Sequence, residues 1–188
     1  MPKSSSLIIA VITLFACSLL RAEPADNSAD AVSSLHAYAK FKAGDYEAAR
    51  VIWQRLADKG NTTALINLAN LLQQGLGSEK NPQQALRLIR QAAERGDARA
   101  QYELGIEYEK GRLVERDLQQ AANWLLRSAE QDNADGQYAY AILLATAFGK
   151  GLEQTTRQQR EQALEWLQKS RANGHPDALT YIRLLEKQ

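Results

Sequence analysis

Cysteine is almost absent from this sequence. Cys17 is the only one, and it lies inside the uncharged stretch LIIAVITLFACSLL at residues 7–20. A domain downstream of that stretch holds no internal disulfide and no thiolate zinc site. Histidine is nearly as scarce. His36 and His175 stand at opposite ends of the chain, so no metal site and no cofactor are expected. A strong charge of either sign is also missing: 23 basic residues face 22 acidic ones, for a net charge of +1. That leaves no basic field, and nucleic acid is not an expected partner. Period-two runs of Val, Ile and Thr do not occur, which argues against a sheet. Gly-x-Ser-x-Gly, Ser-x-x-Lys, His-Glu-x-x-His and the phosphate-cradling P-loop are absent too, and with them the common signatures of hydrolases and nucleotide enzymes.

What the chain does have is helix formers. Ala, Leu, Gln, Glu and Arg dominate its middle. Hydrophobic residues at 45% and charged residues at 24% give a globular balance. The 14-residue apolar stretch near the start follows Lys3 and leads into RAEPADNSAD. It is shorter than the roughly 20 residues that cross a bilayer comfortably, and its layout is that of an export signal. Residues 1–22 are read as a signal peptide cleaved near Ala22. A second reading stays open, in which Leu14, Ala16 and Cys17 form a lipobox, the leader ends before Cys17, and Cys17 receives lipid. A third is an uncleaved N-terminal anchor. The two cleaved readings put the domain outside the cytoplasm, with a periplasmic location expected and membrane contact only through an uncleaved leader or the lipid. Loss of residues 1–22 removes Lys3 and Arg21 and brings the net charge to −1. Residues 23–32 are small and polar and read as a flexible linker.

Residues 33–187 repeat. GNTTALINLANLLQQG from Gly60, GDARAQYELGIEYEKG from Gly96, DNADGQYAYAILLATA from Asp132 and GHPDALTYIRLLEKQ from Gly174 lie in register. The steps are 36, 36 and 42 residues. A second block recurs with small residues at Ala49, Ala85, Ala121 and Ala163. Bulky ones follow at Ile52, Leu88, Trp124 and Trp166, then at Trp53, Ile89, Leu125 and Leu167. Apolar residues three and four apart mean helix. Each unit thus holds an A helix (33–42, 61–74, 97–110, 134–148) and a B helix (45–59, 81–95, 117–131, 156–172). A last A helix, 175–187, lacks a partner and caps the array. Asp45, Asn81 and Asp117 suit N-caps and Pro82 a first helical position. Gly75, Gly77 and Gly111 end A helices, and Gly60, Gly96 and Gly174 end B helices. No unit buries its own apolar face, so stacking has to build one continuous core. Gly105, aligned with Ala69 and Ala141, marks a close approach of A and B helices. Trp53, Trp124 and Trp166 fall in B-helix stripes and are assigned to the core, rather than to a carbohydrate- or peptidoglycan-stacking surface.

The third unit carries a recognisable pattern. Ala100, Leu104, Gly105, Tyr108, Gly111, Asp117, Ala121, Trp124 and Ala129 resemble a Sel-one-like repeat, a relative of the tetratricopeptide repeat. In the second and fourth units Ala69 and Ala141 replace the Gly, and Leu72 and Leu144 replace the Tyr; the first unit is closer to a plain tetratricopeptide unit. The resemblance covers about residues 33–187. It implies an all-α, right-handed α-solenoid of about four helix–turn–helix repeats plus a C-terminal capping helix. It further implies a non-enzymatic scaffold or adaptor of the bacterial envelope, monomeric, that binds a protein or peptide on a concave surface of A helices.

On a helical wheel the A-helix face opposite the core carries Arg99, Tyr102, Ile106, Glu109 and Lys110 in the third unit. Ile66, Asn70 and Gln74 precede them, and Tyr138 and Ile142 follow. An apolar and aromatic stripe flanked by amides and charges suits a protein-binding groove. The competing reading is that the same side chains pack on the next A helix. The carboxylates Glu103 and Glu107, one helical turn apart, raise the alternative of a secreted hydrolase. The phase of the helix instead makes them solvated surface, with Arg99 paired to Glu103 and Lys110 to Glu107. His175, before Pro176, is expected to be a surface turn residue.

Overall fold

The computed structural model describes residues 27–187 and divides the chain into two units, residues 1–32 and 33–188. The leader, Cys17 and the cleavage region lie outside the described residues. Among the described residues every regular element is helical. The helices are α1 (Asn27–Lys42), α2 (Tyr46–Asp58), α3 (Thr62–Gln74), α4 (Pro82–Glu94), α5 (Ala98–Lys110), α6 (Leu118–Ala129), α7 (Ala134–Ala145), α8 (Arg157–Ala172) and α9 (Ala178–Leu185). Odd-numbered helices are the A helices. The pairs α1–α2, α3–α4, α5–α6 and α7–α8 form a right-handed α-solenoid, and α9 packs on α8 at its end. Each helix from α2 to α9 packs on the next in sequence, and α5 also touches α7, so A helices meet across units.

Boundaries follow the cap chemistry. Asn81 Oδ1 accepts from the Gln84 amide at 3.0 Å, and Asp117 Oδ1 accepts from the Gln119 and Gln120 amides at 2.9 and 3.0 Å. Pro82 opens α4, where its missing N–H costs nothing. A second cap column, Asn61, Asp97 and Asn133, starts α3, α5 and α7 by the same bond. Gly111 ends α5 at φ 64°, a left-handed conformation in which a Cβ would meet Arg116 Cβ at 2.7 Å. The first helix begins at Asn27 rather than at 33, so residues 27–32, read as linker, are its opening turns. The longer fourth connection contains a 3₁₀ turn, Leu152–Gln154, before Thr156 and Gln159 close a capping box on α8.

The core consists of small and branched side chains. Ala69 and Ala141 on A helices and Ala85, Ala121 and Ala163 on B helices are fully buried. At Gly105 the approach is tighter: a Cβ there would lie 2.7 Å from Leu125 Cγ on α6. Trp53 is buried, 5.7 Å from the Phe41 ring. Trp124 and Trp166 are half-buried against core clusters, with Arg127 and Lys169 lying over their rings.

Polar side chains stitch successive helices in a repeating pattern. Gln101 on α5 donates to the Ala93 carbonyl at the end of α4, and its own carbonyl accepts from Gln131 beyond α6 at 2.7 Å. One unit later Gln137 donates to the Ala129 carbonyl and accepts from Asn173 at 3.0 Å. Ser128 and Ser170 donate to the carbonyls of Ala98 and Ala134, tying each B helix to the start of its A helix.

Gly105→Leu has to displace Leu125 and is expected to destabilise the fold by about 1–3 kcal/mol. Thermal or urea unfolding measures it, and a variant as stable as the parent would contradict this packing.

Candidate functional site

The A helices α3 and α5 do not close completely on each other. A cavity of about 190 Å³ opens between them. Asn70 and Gln73 line it from α3, Tyr102, Glu103, Ile106 and Glu107 from α5, with Ile89 behind and Arg112 at one end. A second cavity of about 250 Å³ adjoins it. Gln73, Glu107 and Arg112 form walls of both, and Lys80, Pro82 and Leu113 complete the second. The two hollows are therefore one groove, crossed in its middle by the Glu107–Arg112 ion pair.

The wheel-predicted residues are dispersed by depth. Asn70, Tyr102 and Ile106 come together at the first cavity. Gln74, Arg99 and Lys110 are exposed, and Glu109 is half-buried. Ile66 is a correction: it is 4% exposed and belongs to the core cluster that contains Ala37 and Leu65, so no partner can reach it. Ile142 and Tyr138 are half-buried against the cluster around Ala141 and Leu144. Tyr138 stacks on His175 at 4.0 Å and meets Tyr181 edge-on at 5.6 Å. Burial, then Tyr181 and Asp177, push its hydroxyl up to about 12. His175 is thus no surface turn residue, because its ring is covered by Tyr138 and its side chain is only 10% exposed. Ile106 satisfies both open readings, since it faces the cavity and packs on the cluster containing Leu143 of α7.

The carboxylates differ most from expectation. Glu107 is buried, not solvated, and its partner is Arg112 in the following loop rather than Lys110. Its Oε1 accepts from the Arg112 guanidinium, while its Oε2 is buried without a partner. Glu103 accepts from Arg99 Nε at 3.0 Å and is 22% exposed. Burial holds its carboxyl above the ordinary glutamate range; Arg99 opposes this, and Asp97 and Glu107 reinforce it. The Tyr102 hydroxyl is likewise raised, by burial and then by Asp135, Glu103 and Glu109. Three carboxylates thus lie near the Tyr102 hydroxyl, one of which, Glu103, is paired with Arg99. Among the described residues, no three His, Cys, Asp or Glu side chains converge into a metal site.

The folded state holds the Glu103 proton more tightly than the unfolded chain does. This contribution favours folding below the ordinary glutamate pKa of about 4.3 and is lost as pH rises through the higher folded value. Glu103→Gln removes the titration. Its melting temperature relative to the parent is expected to rise between about pH 4 and pH 7. A constant difference across that range would contradict the burial described.

A family model of the Sel1 repeat matches residues 62–97, 98–133 and 134–175, leaving the first helix pair outside. Among solved structures, a Sel1 repeat protein from Oxalobacter formigenes is similar over 82% of this chain and 61% of its own, at 29% identity and a TM-score of 0.72. A protective antigen of uropathogenic Escherichia coli displaying an SLR fold is similar over 80% of this chain and 32% of its own, at 27% identity and a TM-score of 0.68. The chain thus spans less than two thirds of either. No curated protein matches the sequence significantly. Sel1 repeats generally serve as protein-interaction scaffolds. With three consecutive repeats matched and the same solenoid architecture, this chain belongs to the Sel1 repeat family.

Proposed function

We propose that this protein is a non-enzymatic scaffold or adaptor of the bacterial cell envelope that holds a protein or peptide partner on the concave A-helix face. The observation that carries the reading is the groove between α3 and α5. The Glu107–Arg112 ion pair parts this groove into hollows of about 190 and 250 Å³, each smaller than the roughly 300–1,000 Å³ typical of small-molecule sites. Such hollows suit individual side chains of a larger partner. Apolar Ile106 and the amphipathic Tyr102 alternate with Asn70, Gln73 and Glu103, a mixture suited to an interface with an apolar centre and polar rim. The hydrolase alternative finds less support. Both candidate carboxylates are engaged by arginines, and Glu107 lies beneath its partner. The stacking surface for carbohydrate is also less favoured, because cations of the same helices cover Trp124 and Trp166. Export rests on the leader pattern of residues 1–22, with Cys17 as the candidate lipid attachment.

Two measurements test this. Parent and Tyr102→Ala domains are immobilised and exposed to envelope extract, and captured proteins are quantified. A specific partner is expected to fall by about ten-fold or more, a loss of about 1.4 kcal/mol, with folding verified by circular dichroism. An unchanged partner set removes the A-helix face from the reading. Fractionation of the full-length chain expressed in a Gram-negative host is expected to place it in the periplasm or membrane fraction, with Cys17→Ser shifting any membrane-held material. Retention in the cytoplasm would refute export.

A further inference from the structure

The three complete repeats reveal an exchange at one pair of positions. Leu71 and Leu76 in α3 and its following turn correspond to Glu107 and Arg112, and again to Leu143 and Phe148. The two flanking turns share a bond, the Leu76 amide donating to the Leu71 carbonyl at 3.0 Å and the Phe148 amide to the Leu143 carbonyl at 2.9 Å, while the Glu107 carbonyl accepts from the Gly111 amide at 2.8 Å. Leu71 and Leu143 are core residues, 0% and 3% exposed, and Leu76 and Phe148 pack against the core. Only the middle repeat of the three places an ion pair there. Apolar residues of similar volume often serve as well as or better than a buried ion pair, and the flanking repeats show that they fit. Packing therefore gives no reason for the charges.

The charges are also arranged unequally. The Glu107 side chain is 9% exposed and that of Glu103 22%, whereas Arg112 and Arg99 are 59% and 58% exposed. Glu103 and Glu107 wall the groove, and their arginine partners reach into solvent. Arg112 satisfies only one oxygen of Glu107, and Oε2 has no donor. A buried acceptor without a donor is costly, and this one belongs to a side chain that walls both hollows. Asn70, Gln73 and Tyr102 supply further polar atoms in the first hollow. The charged walls are Glu103 and Glu107 against Arg112 and Lys80; displacing the exposed Arg112 side chain leaves the two carboxylates facing a cationic guest in the first hollow.

We propose that the groove between α3 and α5 is a pocket for a basic side chain, the lysine ammonium or arginine guanidinium of a bound peptide, which takes the place of Arg112 on the Glu107 carboxylate beside Glu103. This rests on the scaffold reading above and specifies the chemistry of its partner. Arg112 is the exposed partner that the guest displaces.

The test uses a random peptide library selected on the immobilised domain, followed by affinity measurement on synthetic peptides. The parent is expected to enrich Lys or Arg at one position, and replacing that residue by norleucine is expected to weaken binding about ten-fold or more. In Glu107→Leu/Arg112→Leu, which copies the neighbouring Leu71 and Leu76, the two peptides are expected to bind equally while the melting temperature stays at or above that of the parent. Glu107→Gln, close to Glu in shape, provides the same comparison should the double variant not fold. Enrichment of acidic or apolar residues only, or a Lys or Arg preference that survives in these variants, overturns the basic-pocket assignment and leaves the scaffold reading standing. A parent that selects no peptide at all counts against both.

Discussion

None of these helices can bury its apolar stripe alone, and the whole architecture depends on how closely neighbouring backbones approach. A helix with a stripe on one side needs a partner within about 8–10 Å, and here small residues set that distance. Ala69, Ala85, Ala121, Ala141 and Ala163 are fully buried because each stands where two helices cross. In the third unit the approach is closer still: a Cβ at position 105 would lie 2.7 Å from Leu125 Cγ, so Gly105 stands where the second and fourth units keep Ala69 and Ala141. That close approach is the local physical reason for a glycine in the middle of a helix, where it otherwise costs about 1 kcal/mol.

Close approach brings backbone ends into places that water cannot reach, and the polar ladder answers that requirement. Gln101 and Gln137 each satisfy a carbonyl at the end of the preceding B helix, and each is held in turn by a side chain after the next B helix. Three successive helices are thereby fixed by two hydrogen bonds, one amide serving as both donor and acceptor. Buried amides satisfied on both sides rigidify and specify a unique packing. A face made of parallel A helices then has a defined spacing, and the incomplete closure between α3 and α5 is a property of that spacing rather than of a mobile loop.

Much of this was legible in the chain. The period of 36 residues located every helix of the repeats, and the cap residues Asn81 and Asp117 and the stops Gly75 and Gly111 set ends close to those observed. Depth was harder to read. A helical wheel gives the direction of a side chain but not what stands opposite, so Ile66, Tyr102 and Tyr138, which share a column, looked equivalent although Ile66 is core and the tyrosines are half-buried. Glu107 was misplaced for the opposite reason: its charge suggested solvent, while its column, shared with Leu71 and Leu143, indicated burial. For that residue the chain's own repeats were a better guide to depth than residue type. His175 escaped notice because its cover, Tyr138, comes from a helix two elements earlier.

The tolerance for such an exception follows from the architecture. In a repeat array each unit contacts only its neighbours, and stability is close to a sum of local terms. A costly pair in one unit is not amplified through a single shared core, and the apolar equivalents on either side, Leu71 with Leu76 and Leu143 with Phe148, keep the helices in register. The middle unit has a helix pair packed on each side of it. Glu107 can therefore remain buried and half-satisfied there because the surrounding helices fix its position independently of it. That separation, with register set by the neighbours, would let a solenoid carry the proposed site in one repeat without rebuilding its core.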